Sequence, residues 1–133
     1  MKEIEIPRGN GERILVAGDD EVAGMSAKEM LKGLGYNVTL VSDGTEAYKM
    51  FVEDTKRFDA IILDLEKGGS EAITIFEKMN EISANNAFVL MHDNWKDEGI
   101  EEFYATVEYV GILTKPLEKR RLSFFMSDLF RHK

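Results

Sequence analysis

Short apolar runs alternate with segments of helical period along almost the whole of this chain, and that alternation leaves few folds open. Ile14-Leu15-Val16-Ala17 is an unbroken apolar run, as a strand buried on both faces requires. From Glu21 to Leu34 the apolar residues switch to helical spacing through Val22, Met25, Met30, Leu31 and Leu34, and Gly35 follows as a helix C-cap. The pattern then repeats. It predicts strands at 37–41, 59–64, 87–91 and 110–114, and helices at 45–53, 70–80, 98–106 and 118–130. Strands that alternate with helices in this way imply a parallel sheet with right-handed crossovers and helices on both faces. The 133 residues fit one domain. Residues 1–12, where Pro7, Gly9, Asn10 and Gly11 break any regular pattern, read as a leader or linker, and the domain itself as residues 13–133.

Charged residues stand where three of the apolar runs end. Asp19 and Asp20 follow the first, Asp64 follows Ala60-Ile61-Ile62-Leu63, and Lys115 follows Gly111-Ile112-Leu113-Thr114. In a parallel sheet these ends open on the crevice at the carboxyl edge, where open α/β folds bind ligands. Acids and a base would meet there. Each residue also has a plainer reading: Asp is a common helix N-cap where a strand turns into a helix, and Lys115 would serve as a surface residue before a proline turn.

Composition narrows the partners. A formal charge of −8 argues against a nucleic-acid surface, because phosphate backbones are held by clustered Lys and Arg. The basic cluster Lys119-Arg120-Arg121 reads as the solvated first turn of the last helix. Without cysteine there is neither a disulfide nor a thiolate metal site. No apolar stretch approaches a membrane span and no signal-peptide core is present, so the expected location is cytoplasmic, without membrane insertion. The oligomeric state is open.

The order of these elements, with Asp19-Asp20-Glu21 after the first strand, Asp64 ending the third and Thr114-Lys115-Pro116 ending the fifth, resembles the receiver domain of two-component response regulators. The likeness runs over about residues 13–131. It implies a flavodoxin-like, doubly wound (βα)5 fold whose five-stranded parallel sheet has the order 2-1-3-4-5. It also implies that Asp64 accepts a phosphoryl group from a phosphohistidine on a histidine kinase or phosphotransfer protein. Asp19, Asp20, Asp64 and the backbone carbonyl of Glu66 would hold Mg²⁺, Lys115 would contact the phosphoryl group, and the Lys115-Pro116 bond would be cis. Such a module is not an enzyme; it signals to a downstream protein target. The leader Ile6-Pro7-Arg8-Gly9-Asn10-Gly11-Glu12-Arg13 is similar to the segment that precedes an appended receiver in hybrid sensor histidine kinases.

The implied chemistry suits these residue types. Phosphoryl transfer needs a nucleophilic oxygen, an in-line donor and positive charge on the equatorial oxygens. A carboxylate supplies the first and becomes an acyl phosphate. Mg²⁺ favours hard oxygens, and a lysine ammonium is a point charge on a flexible stem.

Departures from the family pattern matter as much as the matches. At the end of the fourth strand the usual Thr or Ser is His92, followed by Asp93. An imidazole donates one hydrogen bond and titrates near neutrality, so His92 is either a phosphoryl-binding, pH-sensing residue or a tolerated substitution where switching has been lost. The aromatic switch position, three residues before Lys115, is Ile112, which has no ring to swing. Gly68 replaces a proline in the loop after Asp64 and should loosen it. Glu66 has three open roles: repelling the phosphoryl group, reaching the metal, or orienting a hydrolytic water. Gly18, in place of an apolar residue, is expected to loosen the end of the first strand. Two functional classes follow: a phosphorylatable receiver, and a pseudo-receiver that binds a partner independently of phosphorylation. A flavodoxin-like enzyme or nucleotide binder lacks a glycine-rich phosphate loop or a catalytic pair to support it.

Overall fold

The computed structural model describes residues 5–18, 20–64, 70–83, 86–92 and 110–131. The expected helix at 98–106, together with Asp19, Glu66, Gly68 and Asp93, lies outside them. Five strands, β1 (Arg13–Ala17), β2 (Asn37–Val41), β3 (Ala60–Asp64), β4 (Ala87–His92) and β5 (Val110–Thr114), form one sheet of order β2-β1-β3-β4-β5. Every pairing is parallel, with Ala17 beside Leu63 and Val41, Asp64 beside Met91, and His92 beside Thr114. The helices are α1 (Glu21–Gly33), α2 (Gly44–Glu53), α3 (Ser70–Ile82) and α4 (Lys119–Arg131).

Side chains alternate across a strand, so one strand serves two cores. Leu15, Ile61, Leu63, Phe88 and Leu90 point to the layer covered by α2 and α3, where Phe51, Phe76 and Met79 complete the packing. Ile14, Val16, Ile62, Val89 and Met91 point to the layer covered by α1 and α4, against Leu31, Leu34, Leu122 and Met126. Phe88 sits at the centre of the first layer, edge-on to Phe76 at 5.0 Å between ring centroids. The face of α1 differs from the one its apolar spacing predicts. Val22 and Met25 are 80% and 46% exposed, and Gly24 and Ala27 turn inward in their place, beside Leu31 and Leu34, which the spacing does put in the core. The reason is steric: α1 lies so close to β2 that a Cβ at Gly24 would stand 3.0 Å from Leu40, and only small residues fit that contact.

Residues 7–12 are tied to the amino edge of the sheet. Gly9 N donates to Leu34 O at 2.7 Å, Gly11 N to Gly35 O at 2.9 Å, and Asn37 N to Glu12 O at 2.9 Å. Arg8 Nη1 donates to Gly33 O, and the buried Ser123 hydroxyl on α4 donates to Pro7 O at 2.5 Å. Glycine is needed on each side of this contact. Gly35 has φ +98°, and the ring of Tyr36 occupies the space a Cβ on Gly9 would fill, 2.5 Å from Cε1. The turn formers that read as a linker thus dock against the ends of α1 and α4.

Candidate functional site

The carboxyl edge of the sheet is where the predicted residues converge. Asp64 is the last residue of β3, and its side chain is only 1% exposed. Lys115 follows β5, and strand order puts β4 between them, so a long side chain is needed to pass the end of β4 and reach β3. The Lys115 ammonium does so, with Nζ 2.8 Å from Asp64 Oδ1 and its side chain 11% exposed. A charge-assisted hydrogen bond in so dry a place is strong for its geometry, and it offsets the cost of removing both ions from water. The peptide bond Lys115-Pro116 is cis, as expected.

Asp20 stands on the opposite rim. It is the N-cap of α1, its Oδ1 accepting from Val22 N at 3.0 Å and Ala23 N at 3.1 Å. The plain reading of this residue, a helix cap, is therefore what the side chain does, and it also fixes the carboxylate in the crevice. Between the two rims lies a cavity of about 410 Å³, lined by Asp20, Val22, Ala23, Met91, Lys115 and Leu117 among others. The exposed Val22 belongs to its wall, so a position that spacing assigns to the core serves the crevice instead. Only the high exposure of an apolar side chain reveals this, and sequence carries no such signal.

Gly18 departs from expectation. The end of β1 is fastened, with Gly18 N donating to Val41 O at 3.2 Å, and a Cβ at residue 18 would meet Asp64 Cβ at 2.7 Å. The space is filled from β3, not left loose. Of the remaining predicted residues, Asp19 and Glu66 lie outside the described part, and His92 is placed by its backbone at the end of β4, beside Thr114. Ile112 on β5 is partly buried and packs against the layer of α2 and α3. Among the described residues no three carboxylates or imidazoles gather as a metal cluster. Lys119, Arg120 and Arg121 are exposed on the first turn of α4, as a solvated face requires. No helix of the described residues is long and apolar enough to cross a membrane.

Comparisons with known proteins bear on the family and the fold. The family model of the response regulator receiver domain matches residues 14–124. Transcriptional regulatory protein RprY of Bacteroides fragilis is 26% identical over 120 residues, which are 90% of this chain and 49% of that protein. The chain spans about half the length of RprY and a smaller share of other curated relatives. The Vibrio cholerae chemotaxis protein CheY4 superposes with a TM-score of 0.76 at 19% identity, over 90% of this chain and 98% of that one. Response regulator TrrA of Thermotoga maritima, solved in complex with Mg²⁺-BeF, gives 0.73 at 22% identity, over 89% and 98%. The two structural likenesses bear on the fold, five parallel strands in flavodoxin-like order. With the family match across most of its length, and its acid and lysine at the ends of β3 and β5, this chain belongs to the response regulator receiver domain family of two-component signalling.

Proposed function

We propose that Asp64 is the phosphoacceptor of this receiver, taking its phosphoryl group from a phosphohistidine on a histidine kinase or phosphotransfer protein. The observation that carries this reading is the Lys115–Asp64 pair, a buried carboxylate held at the carboxyl edge by a cation from two strands away. A carboxylate needed only for folding is more cheaply placed at the surface. In the transfer, an Asp64 oxygen forms the bond to phosphorus while the P–N bond of the donor breaks, and its electron pair leaves with the imidazole, which takes a proton from solvent. The Lys115 ammonium, freed from a carboxylate that has become an acyl phosphate, neutralises a phosphoryl oxygen. The output passes through contacts with another protein.

The donor set suits Mg²⁺, which takes hard oxygens and keeps several waters. Asp20 and Asp64 would hold it, with Asp19 and the Glu66 carbonyl from outside the described residues. When bound, the ion supplies positive charge to the phosphoryl oxygens. The second reading, a pseudo-receiver that binds its partner regardless of phosphorylation, is favoured by Ile112, a partly buried aliphatic residue packed against the core where a receiver's switch ring would move.

Intact mass after incubation with phosphoramidate and Mg²⁺ tests the proposal. One phosphoryl adduct on wild type and none on Asp64→Asn is the expected result. A folded wild type that takes no adduct would overturn it in favour of the pseudo-receiver.

A further inference from the structure

We propose that Gly18 is a positioning residue for Asp64: the missing side chain at the exit of β1 is the space against which the Asp64 carboxylate is set. The inference rests on the phosphoacceptor reading for its consequence, but its geometry stands alone. A Cβ at residue 18 would lie 2.7 Å from Asp64 Cβ, 3.2 Å from its Oδ2 and 3.4 Å from its Cγ. The first of these distances is one that real Cβ atoms do not adopt, and Asp64 Cβ is fixed to the backbone, so no rotation of the side chain relieves it.

Glycine is not there for its backbone. Gly11 and Gly35 have positive φ; Gly18 does not, and an L-residue could adopt its conformation without strain. Nor can the strands part to make room. Gly18 N is bonded to Val41 O on one side, and Ala17 is in register with Leu63 on the other, while Asp64 is itself in register with Met91 of β4. Neighbouring strands keep a spacing of about 4.8 Å, and widening it would break these ladders. Asp64 is therefore bonded at Oδ1 by Lys115, and its Cβ and Oδ2 stand beside the space that a side chain at residue 18 would need. A methyl group at residue 18 must push the carboxylate out of line with Lys115 or displace the end of β1, and with it the acidic residues that follow.

The test is Gly18→Ala, with Gly24→Ala as the control. In the control, a Cβ meets Leu40 at 3.0 Å, which disturbs packing beside β2 but not Asp64. We expect Gly18→Ala to slow adduct formation from phosphoramidate by about 100-fold, as a misplacement of about 1 Å costs. The Lys115 Nζ resonance in a ¹⁵N-lysine spectrum should move as its partner shifts. Gly24→Ala should label at the wild-type rate with the resonance in place, whatever its effect on stability. If wild type takes no adduct, the phosphoacceptor reading fails, and the Lys115 resonance still decides the role of Gly18. If Gly18→Ala does not fold, the stability of Gly18→Ala in an Asp64→Gly background decides it. Removing the colliding Cβ should make the alanine tolerable, so the double variant should be as stable as Asp64→Gly alone, and a further loss on adding the alanine would overturn the inference. An unchanged resonance and an unchanged labelling rate in a folded Gly18→Ala would do the same.

Discussion

At the amino edge of the sheet Arg13 and Asp59 lie 3.4 Å apart, with side chains 50% and 29% exposed; at the carboxyl edge Lys115 and Asp64 lie 2.8 Å apart, with side chains 11% and 1% exposed. The first pair is spent on the fold. Asp59 Oδ2 also accepts from Arg13 N, Arg13 Nη2 donates to Lys56 O, and Asp59 N donates to Arg13 O, so the two residues align the start of β1 with the approach to β3. Water screens it, and such pairs contribute about 0–1 kcal/mol. The second pair sits where a single unpartnered charge would be costly, and it faces a crevice. The two pairs thus differ in their access to solvent: the wet one joins strands, and the dry one closes the end of β3 beside a crevice.

The comparison breaks if the two edges respond alike. Lys115→Ala should cost about 3 kcal/mol in urea unfolding, because it leaves the Asp64 carboxylate buried without its cation; a loss below about 1 kcal/mol would place the pair in the class of Arg13–Asp59. Gly9→Ala sets a Cβ into the Tyr36 ring and should cost about 2 kcal/mol while leaving the labelling rate of Asp64 unchanged. A slowed label would show that the amino edge reaches the site. Ser123→Ala removes the hydroxyl donated to Pro7 O and should cost about 1 kcal/mol, read from the urea midpoint at constant slope. Arg13→Gln should stay below about 1 kcal/mol and weaken further in its effect as salt is added.

The smallest effect is on alkaline stability. Burial pushes the Tyr36 phenol above its ordinary 10.0, and the Glu12 carboxylate adds to the rise. The folded protein thus resists the phenolate, so this contribution is fully present below pH 10 and is lost as pH rises through the raised folded value. Tyr36→Phe should flatten that alkaline limb in a pH series of melting temperatures. An identical limb in both proteins would remove Tyr36 from it.

The layout of the sheet was legible because each central strand is an apolar run bounded by turn chemistry, and the acid and lysine of the site sit at strand ends where topology alone brings them together. The face of α1 was not, because periodicity counts Val22 and Met25 as core while Gly24, close against Leu40, and Ala27 turn inward. Turn formers mislead in a related way at Gly9 and Gly11. Such residues forbid regular structure, but they do not forbid packing, and here the lack of a side chain is what lets Tyr36 close over the leader. Gly18 is the most instructive case. Its neighbour is on another strand, so nothing local distinguishes a loosened strand end from a seat for a carboxylate.

The most direct test of the central claim is to locate the phosphoryl group. Wild-type protein treated with phosphoramidate and Mg²⁺ would be reduced with borohydride, which converts an aspartyl phosphate to homoserine, and the product mapped by peptide mass spectrometry. Homoserine at residue 64, with none at Asp20 or Asp59, is the predicted result. Homoserine at Asp20 or Asp59 with residue 64 unmodified, or none in a folded protein, would contradict it.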